Sequence, residues 1–204
     1  MDENTLTRTF KYKTMKFYLI TIITILFMAA GTVSAQNINI GTKIGLNSYT
    51  INTDNSSNFD SKLGMHAGLL GHIHLNSQFA LQPEIVYSMQ GAKSGNTDLK
   101  LDYINIPVIL QYMFDNGFRI QAGPQLGLLV NAKADNSSSV DVKDDFKTFD
   151  AGLSFGASYV HPPTDFGIDL RYNLGLTDIS ENSNVTSTNR GFQIGIFYLF
   201  NHNN

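Results

Sequence analysis

The chain has 204 residues and a formal net charge of −3, which excludes a nucleic-acid-binding protein that works through a strongly basic surface. It contains no cysteine, which excludes disulfides, thiol nucleophiles, thiolate metal sites and lipid-anchoring cysteines. Charged residues make up only 15% of the sequence, below the roughly 25% of ordinary soluble domains.

The first part of the chain has the pattern of an export signal. Basic residues precede an uncharged apolar run from Phe17 to Val33, and small residues follow at Ser34 and Ala35. A single membrane anchor is the alternative, but the run is short for a spanning helix, which needs about 20 residues. The sequence therefore predicts an N-terminal extension with a cleaved signal peptide at residues 1–35, followed by an exported β-barrel domain at residues 36–204.

Within the exported domain, apolar and polar side chains alternate along eight segments. The clearest runs from Phe166 to Leu176, FGIDLRYNLGL, where every second residue is apolar and those between are polar or glycine. Such alternation predicts a β-strand with two unlike faces. The segments cover about residues 37–50, 62–75, 79–91, 100–113, 118–131, 148–160, 166–176 and 190–200.

The connections between these segments alternate between short and long. The short ones are tight turns with turn-favouring residues, at 76–78, 115–117 and 161–164. The longer ones are polar and rich in Asn, Ser, Asp and Thr, at 52–61, 92–99, 133–147 and 177–189. This order predicts an up-and-down meander with short periplasmic turns and longer external loops.

Two architectures fit alternating strands: a soluble sandwich or lipocalin-like barrel with an apolar interior, and a transmembrane barrel with an apolar exterior. The segments favour the second, because they are longer than the roughly 5–6 residues of soluble strands. Their polar faces carry Gly, Ser, Asn and Gln, which suit a narrow, filled lumen. Aromatic residues such as Phe79, Tyr112 and Phe200 lie near segment ends, where two interfacial girdles are expected.

The predicted fold is therefore all-β: an eight-stranded antiparallel up-and-down transmembrane β-barrel in the cell outer membrane. Several stretches resemble the PorT-like family of small outer-membrane β-barrel proteins, at 81–91, 103–112, 121–130, 169–179 and 191–200. The resemblance implies an eight-stranded outer-membrane barrel of a Gram-negative bacterium. It also implies a family in which some relatives are associated with protein secretion across the outer membrane.

Charged residues on the polar faces are candidates for an ion network in the lumen. They are Lys43, Glu84, Arg119, Asp150, Asp169 and Arg171. Three are positive and three negative, and charges removed from water need partners. A structural plug is favoured over a gated ion path, because eight strands leave little free bore.

The sequence predicts no catalytic, cofactor or metal site, so we do not expect the protein to be an enzyme. His72 and His74 share one strand face, but no second ligand cluster accompanies them. His66, placed near the external rim with Asp102 and Asp150 at a similar height, meets no catalytic pattern. The acidic loop at 133–147 departs from the spacing of a calcium loop.

The predicted function is that of a monomeric integral outer-membrane protein with a plugged lumen, surrounded by outer-membrane lipid. It acts as a structural anchor or recognises an external ligand or protein through loops 52–61, 92–99, 133–147 and 177–189. A transport or protein-secretion accessory is the alternative. A secreted lipocalin-like barrel and an outer-membrane hydrolase have less support.

Overall fold

The computed structural model describes residues 38–54, 59–136, 138–182 and 185–200. The predicted signal peptide at residues 1–35 lies outside these described residues. Within them, no helix has the length and hydropathy to cross a bilayer.

Nine β-strands and one short 3₁₀ turn make up the described chain. The strands are β1 Ile38–Thr53, β2 Asp60–His74, β3 Phe79–Ser94, β4 Thr97–Met113, β5 Phe118–Asp135, β6 Ser139–Asp141, β7 Phe149–Val160, β8 Phe166–Gly175 and β9 Ser187–Phe200. The 3₁₀ turn is Lys143–Asp145. All strands except β6 overlap a segment predicted from alternation.

The eight long strands form one closed antiparallel ring. Each pairs with the long strand that follows it in the chain, and β1 pairs with β9 from Ile40 opposite Phe200 to Thr53 opposite Ser187. The short β6 only pairs with the external end of β5. None of the eight long strands therefore has a free edge, as hydrocarbon requires. The predicted eight-stranded up-and-down barrel is confirmed.

Strand β8 shows which way the two faces point. Its apolar residues Phe166, Ile168 and Leu170 are between 55% and 58% exposed, whereas Asp169 and Arg171 are only 4% and 2% exposed. The barrel is therefore apolar outside and polar inside, as predicted, and the same pattern holds along the other long strands.

Aromatic rings on the outer surface cluster near the ends of the strands. At the short-turn end, the centroids of Phe166 and Tyr198 lie 4.8 Å apart, and those of Tyr198 and Phe200 lie 5.3 Å apart. Toward the long-loop end, Tyr172 and Phe192 lie 4.8 Å apart. These positions match the interfacial girdles of membrane barrels.

One predicted loop is largely strand. The prediction of a long loop at 92–99 was wrong, because β3 and β4 continue through it and leave only a turn at Gly95 and Asn96. Gly91, with a φ of 127°, allows an irregular backbone there, and Gly95 has the φ of 56° that the turn needs. Strands that extend beyond the lipid face water, so their outer side chains are polar and the apolar alternation ends before the strand does.

Candidate functional site

Four charged side chains contact one another in the centre of the lumen. Lys43 Nζ lies 3.3 Å from Glu84 Oε2 and 3.0 Å from Asp169 Oδ2. Arg171 Nη2 lies 2.6 Å from Glu84 Oε1, and Arg171 Nε lies 2.8 Å from Asp169 Oδ2. Since β3 and β8 lie on opposite sides of the ring, the Glu84–Arg171 contact crosses the lumen.

Glutamine side chains continue this cluster toward the short-turn end. Gln82 Nε2 donates a hydrogen bond to Glu84 Oε1 at 2.7 Å. Gln111 Nε2 donates to Gln82 Oε1 at 3.0 Å and to Gln121 Oε1 at 2.9 Å. All three glutamines are buried, and they extend the ionic centre to positions on β3, β4 and β5.

Arg119 joins this network through neutral groups. Its Nη1 donates to Gln111 Oε1 at 3.4 Å and lies 3.5 Å from His72 Nε2. Among the described residues it forms no ion pair with a carboxylate. His72 in turn contacts the ring of His74, with their centroids 4.6 Å apart.

Asp150 lies apart from the other five candidate residues, near the external end. It accepts a hydrogen bond from Thr177 Oγ1 at 2.8 Å. It borders a cavity of about 10 Å³, also lined by Tyr49, Gln90 and Asn173, which is roughly the space of one water molecule. The structure thus places four of the six candidate residues in direct contact: Lys43, Glu84, Asp169 and Arg171. Arg119 contacts this network through the Gln111 side chain, and Asp150 lies outside it.

Apolar side chains fill the lumen at both ends. At the short-turn end, the cluster consists of Leu70, Val160, Phe197 and Leu199. At the external end, it consists of Ile51, Ala92, Leu101, Tyr103, Leu129, Ala132 and Ile179. These layers were not predicted, although the mixed inner faces of β4 and β9 in the sequence were the signal that could have revealed them.

The connection between β8 and β9 covers the external mouth. Ile179 is fully buried, its N–H donates to the Ser187 carbonyl at 2.8 Å, and its carbonyl accepts from the Lys147 N–H at 2.8 Å. Lys147 Nζ also lies 2.5 Å from Asp178 Oδ2. Burial raises the pKa of Asp178, whereas hydrogen bonds from Lys147 and from the Ser187 and Ser180 N–H groups lower it. The hydrogen bonds together outweigh burial, so the pKa of Asp178 lies below its ordinary value.

The residues considered for hydrolysis do not come together. His66 was expected near the external rim, but it pairs with Gly45 in the middle of the wall and its ring faces the lumen. Asp102 faces outward and accepts a hydrogen bond from Asn131 Nδ2 at 2.9 Å. The barrel wall therefore separates the two side chains. In the part of the chain that the structure describes, no group of His, Asp and Glu is arranged to hold a metal ion.

A comparison with solved structures finds proteins that are similar to this chain. Among solved structures, the chain is similar to Neisserial surface protein A, NspA, at 16% identity and a TM-score of 0.57, over 81% of this chain and 100% of that one. It is also similar to Ail, the attachment invasion locus protein of Yersinia pestis, at 15% identity and a TM-score of 0.47, over 79% of this chain and 98% of that one.

A comparison with curated proteins gives no match. A family model does match, and it covers residues 34–181, which is well over half of the chain. The match supports an outer-membrane β-barrel family, but it does not confirm the PorT-like group that the sequence resembles. The chain is located in the outer membrane, and it belongs to the outer membrane protein beta-barrel domain family.

Proposed function

We propose that this protein is a non-conducting outer-membrane anchor that holds its external loops as a recognition surface. The observation that carries the proposal is the filling of the lumen at three levels: an apolar layer at each end and an ionic and amide network between them. In an eight-stranded barrel this filling leaves no continuous aqueous path. The charges therefore act as a structural plug.

The contacts within the network support a fixed plug. Lys43 and Arg171 each contact both Glu84 and Asp169, so the two cations and two carboxylates compensate one another away from water. A gated path needs ion-binding groups that exchange partners with a passing ion. Here the same groups are already engaged with each other, which favours rigidity.

The external end offers a surface suited to recognition. Binding segments commonly lie on loops that a rigid scaffold positions, and this barrel is such a scaffold. A cleft of about 440 Å³ opens there, and its lining includes Ile51, Phe59, Leu99, Asp145, Phe146 and Glu181. Its apolar floor and acidic rim are consistent with a partner that combines apolar and basic groups. One chain closes the whole ring, so we also propose that the protein acts as a monomer.

Planar-bilayer recording tests the plug. The purified barrel, with folding verified by heat-modifiable gel migration, is expected to insert without steady current steps. A known open barrel in the same bilayers shows that the assay detects pores. A large steady conductance from the folded protein would contradict the proposed non-conducting anchor.

A further inference from the structure

A single arginine stands out on the lipid-facing side of the barrel. Arg190 lies on the outer face of β9, opposite Thr50 of β1 and Leu174 of β8. Two residues further along β9, Phe192 contacts Tyr172 in the girdle toward the long loops. The guanidinium group therefore lies just beyond that girdle, on its external side.

The depth of Arg190 can be estimated from the strand. It lies ten residues before Phe200, which belongs to the girdle at the short-turn end. At about 3.3 Å per residue and a tilt of about 40°, this separation spans roughly 25 Å across the membrane. That is about the height of the apolar band of such barrels, so Arg190 reaches the headgroups of the outer leaflet.

Arg190 differs from two other cations on the outer surface at this end, Lys93 and Lys100, which each have a carboxylate partner. Lys93 lies 3.7 Å from Asp98, and Lys100 is paired with Asp135. Arg190 forms no ion pair with any carboxylate in the described part of the chain. An unpaired charge at the edge of the hydrocarbon is costly unless a counter-charge comes from outside the protein.

The surroundings of Arg190 form a groove in the wall. The groove has a volume of about 510 Å³, and besides Arg190 its lining includes Ser48, Thr50, Ser61, Tyr172 and Phe192. The hydroxyls of Ser48 and Ser61 have no hydrogen-bond partner among the described residues, while Thr50 Oγ1 donates to the Phe59 carbonyl at 2.9 Å. The groove therefore combines a cation and free hydroxyl donors with aromatic rings.

We propose that this groove binds the phosphorylated headgroup of an outer-leaflet lipid, with Arg190 as its anion ligand. The planar guanidinium presents paired N–H donors that match two phosphate oxygens. Ser48 and Ser61 donate to the remaining oxygens, and the rings of Tyr172 and Phe192 contact the upper part of the acyl chains. A soluble anion would satisfy the charge but not the apolar part of this groove.

Native mass spectrometry of the detergent-solubilised barrel tests the proposal. Its probes are bisphosphorylated lipid A and the same lipid after removal of its phosphates. Wild type is expected to retain the phosphorylated form in preference. Arg190→Gln should bind it about tenfold more weakly, as for the loss of one charge-assisted contact. Arg190→Lys should retain most of the preference, and Lys93→Gln is the matched control for an outer cation that already has a carboxylate neighbour.

Three outcomes would overturn the proposal. The first is equal retention of the two lipid forms by wild type. The second is an equal loss of binding in Arg190→Gln and Lys93→Gln. The third is displacement of lipid A by an equimolar amount of inorganic phosphate, which would identify a site for soluble anions. If Arg190→Gln does not fold, Ser48→Ala replaces it, with an expected loss of a few-fold in the same measurement.

Discussion

Glu84 is the residue on which the centre of the lumen depends most. It accepts contacts from Lys43, Arg171 and Gln82, and so connects β3 to strands on two other sides of the ring. A buried carboxylate between two cations is stabilising only as part of the set, because each charge alone would be strongly destabilised away from water.

The change Glu84→Gln should therefore destabilise the barrel by about 3 to 5 kcal/mol, because it removes one charge and leaves two cations with a single carboxylate. The side chain keeps its size, so no cavity contributes. The measurement is a urea titration of the barrel in lipid vesicles, followed by heat-modifiable gel migration. Ile85→Val, next to it on the lipid face, should change the free energy of unfolding by less than about 1 kcal/mol. Equal midpoints for the two variants would contradict the interlocking role of Glu84.

At the scale of elements, the connection between β8 and β9 is held to the barrel by Asp178. Its Oδ1 accepts the Ser187 N–H at 2.9 Å, and its Oδ2 contacts Lys147. These contacts place Ile179 in the external apolar cluster. The loop thus contributes to the apolar cluster in the lumen, and so to the proposed plug, as well as to the external surface.

This contact makes the docking of the loop pH-dependent. The pKa of Asp178 in the folded protein lies below its ordinary value of 3.8, so the contribution of Asp178 to stability is complete above that pH and is lost as the pH falls through the folded value. The protection factor of the Ser187 amide against hydrogen exchange should therefore decrease in this acidic range. In Asp178→Asn, protection should be lower at neutral pH and nearly independent of pH. A wild-type protection factor that stays constant below pH 3.8 would contradict the prediction.

The strands could be predicted from the sequence because a barrel wall imposes alternation on every residue that crosses the lipid. The external parts could not be predicted in the same way. Residues 92–99 extend as strands into water, where polar side chains occupy the outer face and the contrast is lost. Ile179 is one apolar residue in a polar loop, and no periodicity marks it for burial.

The contacts among the charged side chains could not be predicted, because they depend on the closed ring and not on any local sequence pattern. Six charges could be assigned to the inner face from alternation, but Arg171 and Glu84 are 87 residues apart in sequence. Their contact depends on the register of every strand between them. For the same reason the sequence could not indicate that Arg119 contacts amides. It placed Asp150 near the external rim, but it could not indicate that this carboxylate lies outside the charged cluster.

At the scale of the whole molecule, the barrel wall presents an apolar outer face to lipid and encloses a filled interior. The filling explains how a chain with few charged residues buries several of them, because each is placed among partners supplied by distant strands. The outer face carries most of the large apolar side chains in exposed positions, which in water would favour aggregation. In a membrane, acyl chains cover the same surface.

Because the natural chain has no cysteine, a single introduced cysteine gives a unique labelling position for testing this claim. A fluorophore on Leu170→Cys, on the outer face of β8, should be strongly quenched by lipids with brominated acyl chains. A fluorophore on Asp54→Cys, just beyond the external end of β1, should be quenched much less. Equal and weak quenching at both positions, with the folded protein recovered in the aqueous fraction, would contradict the account.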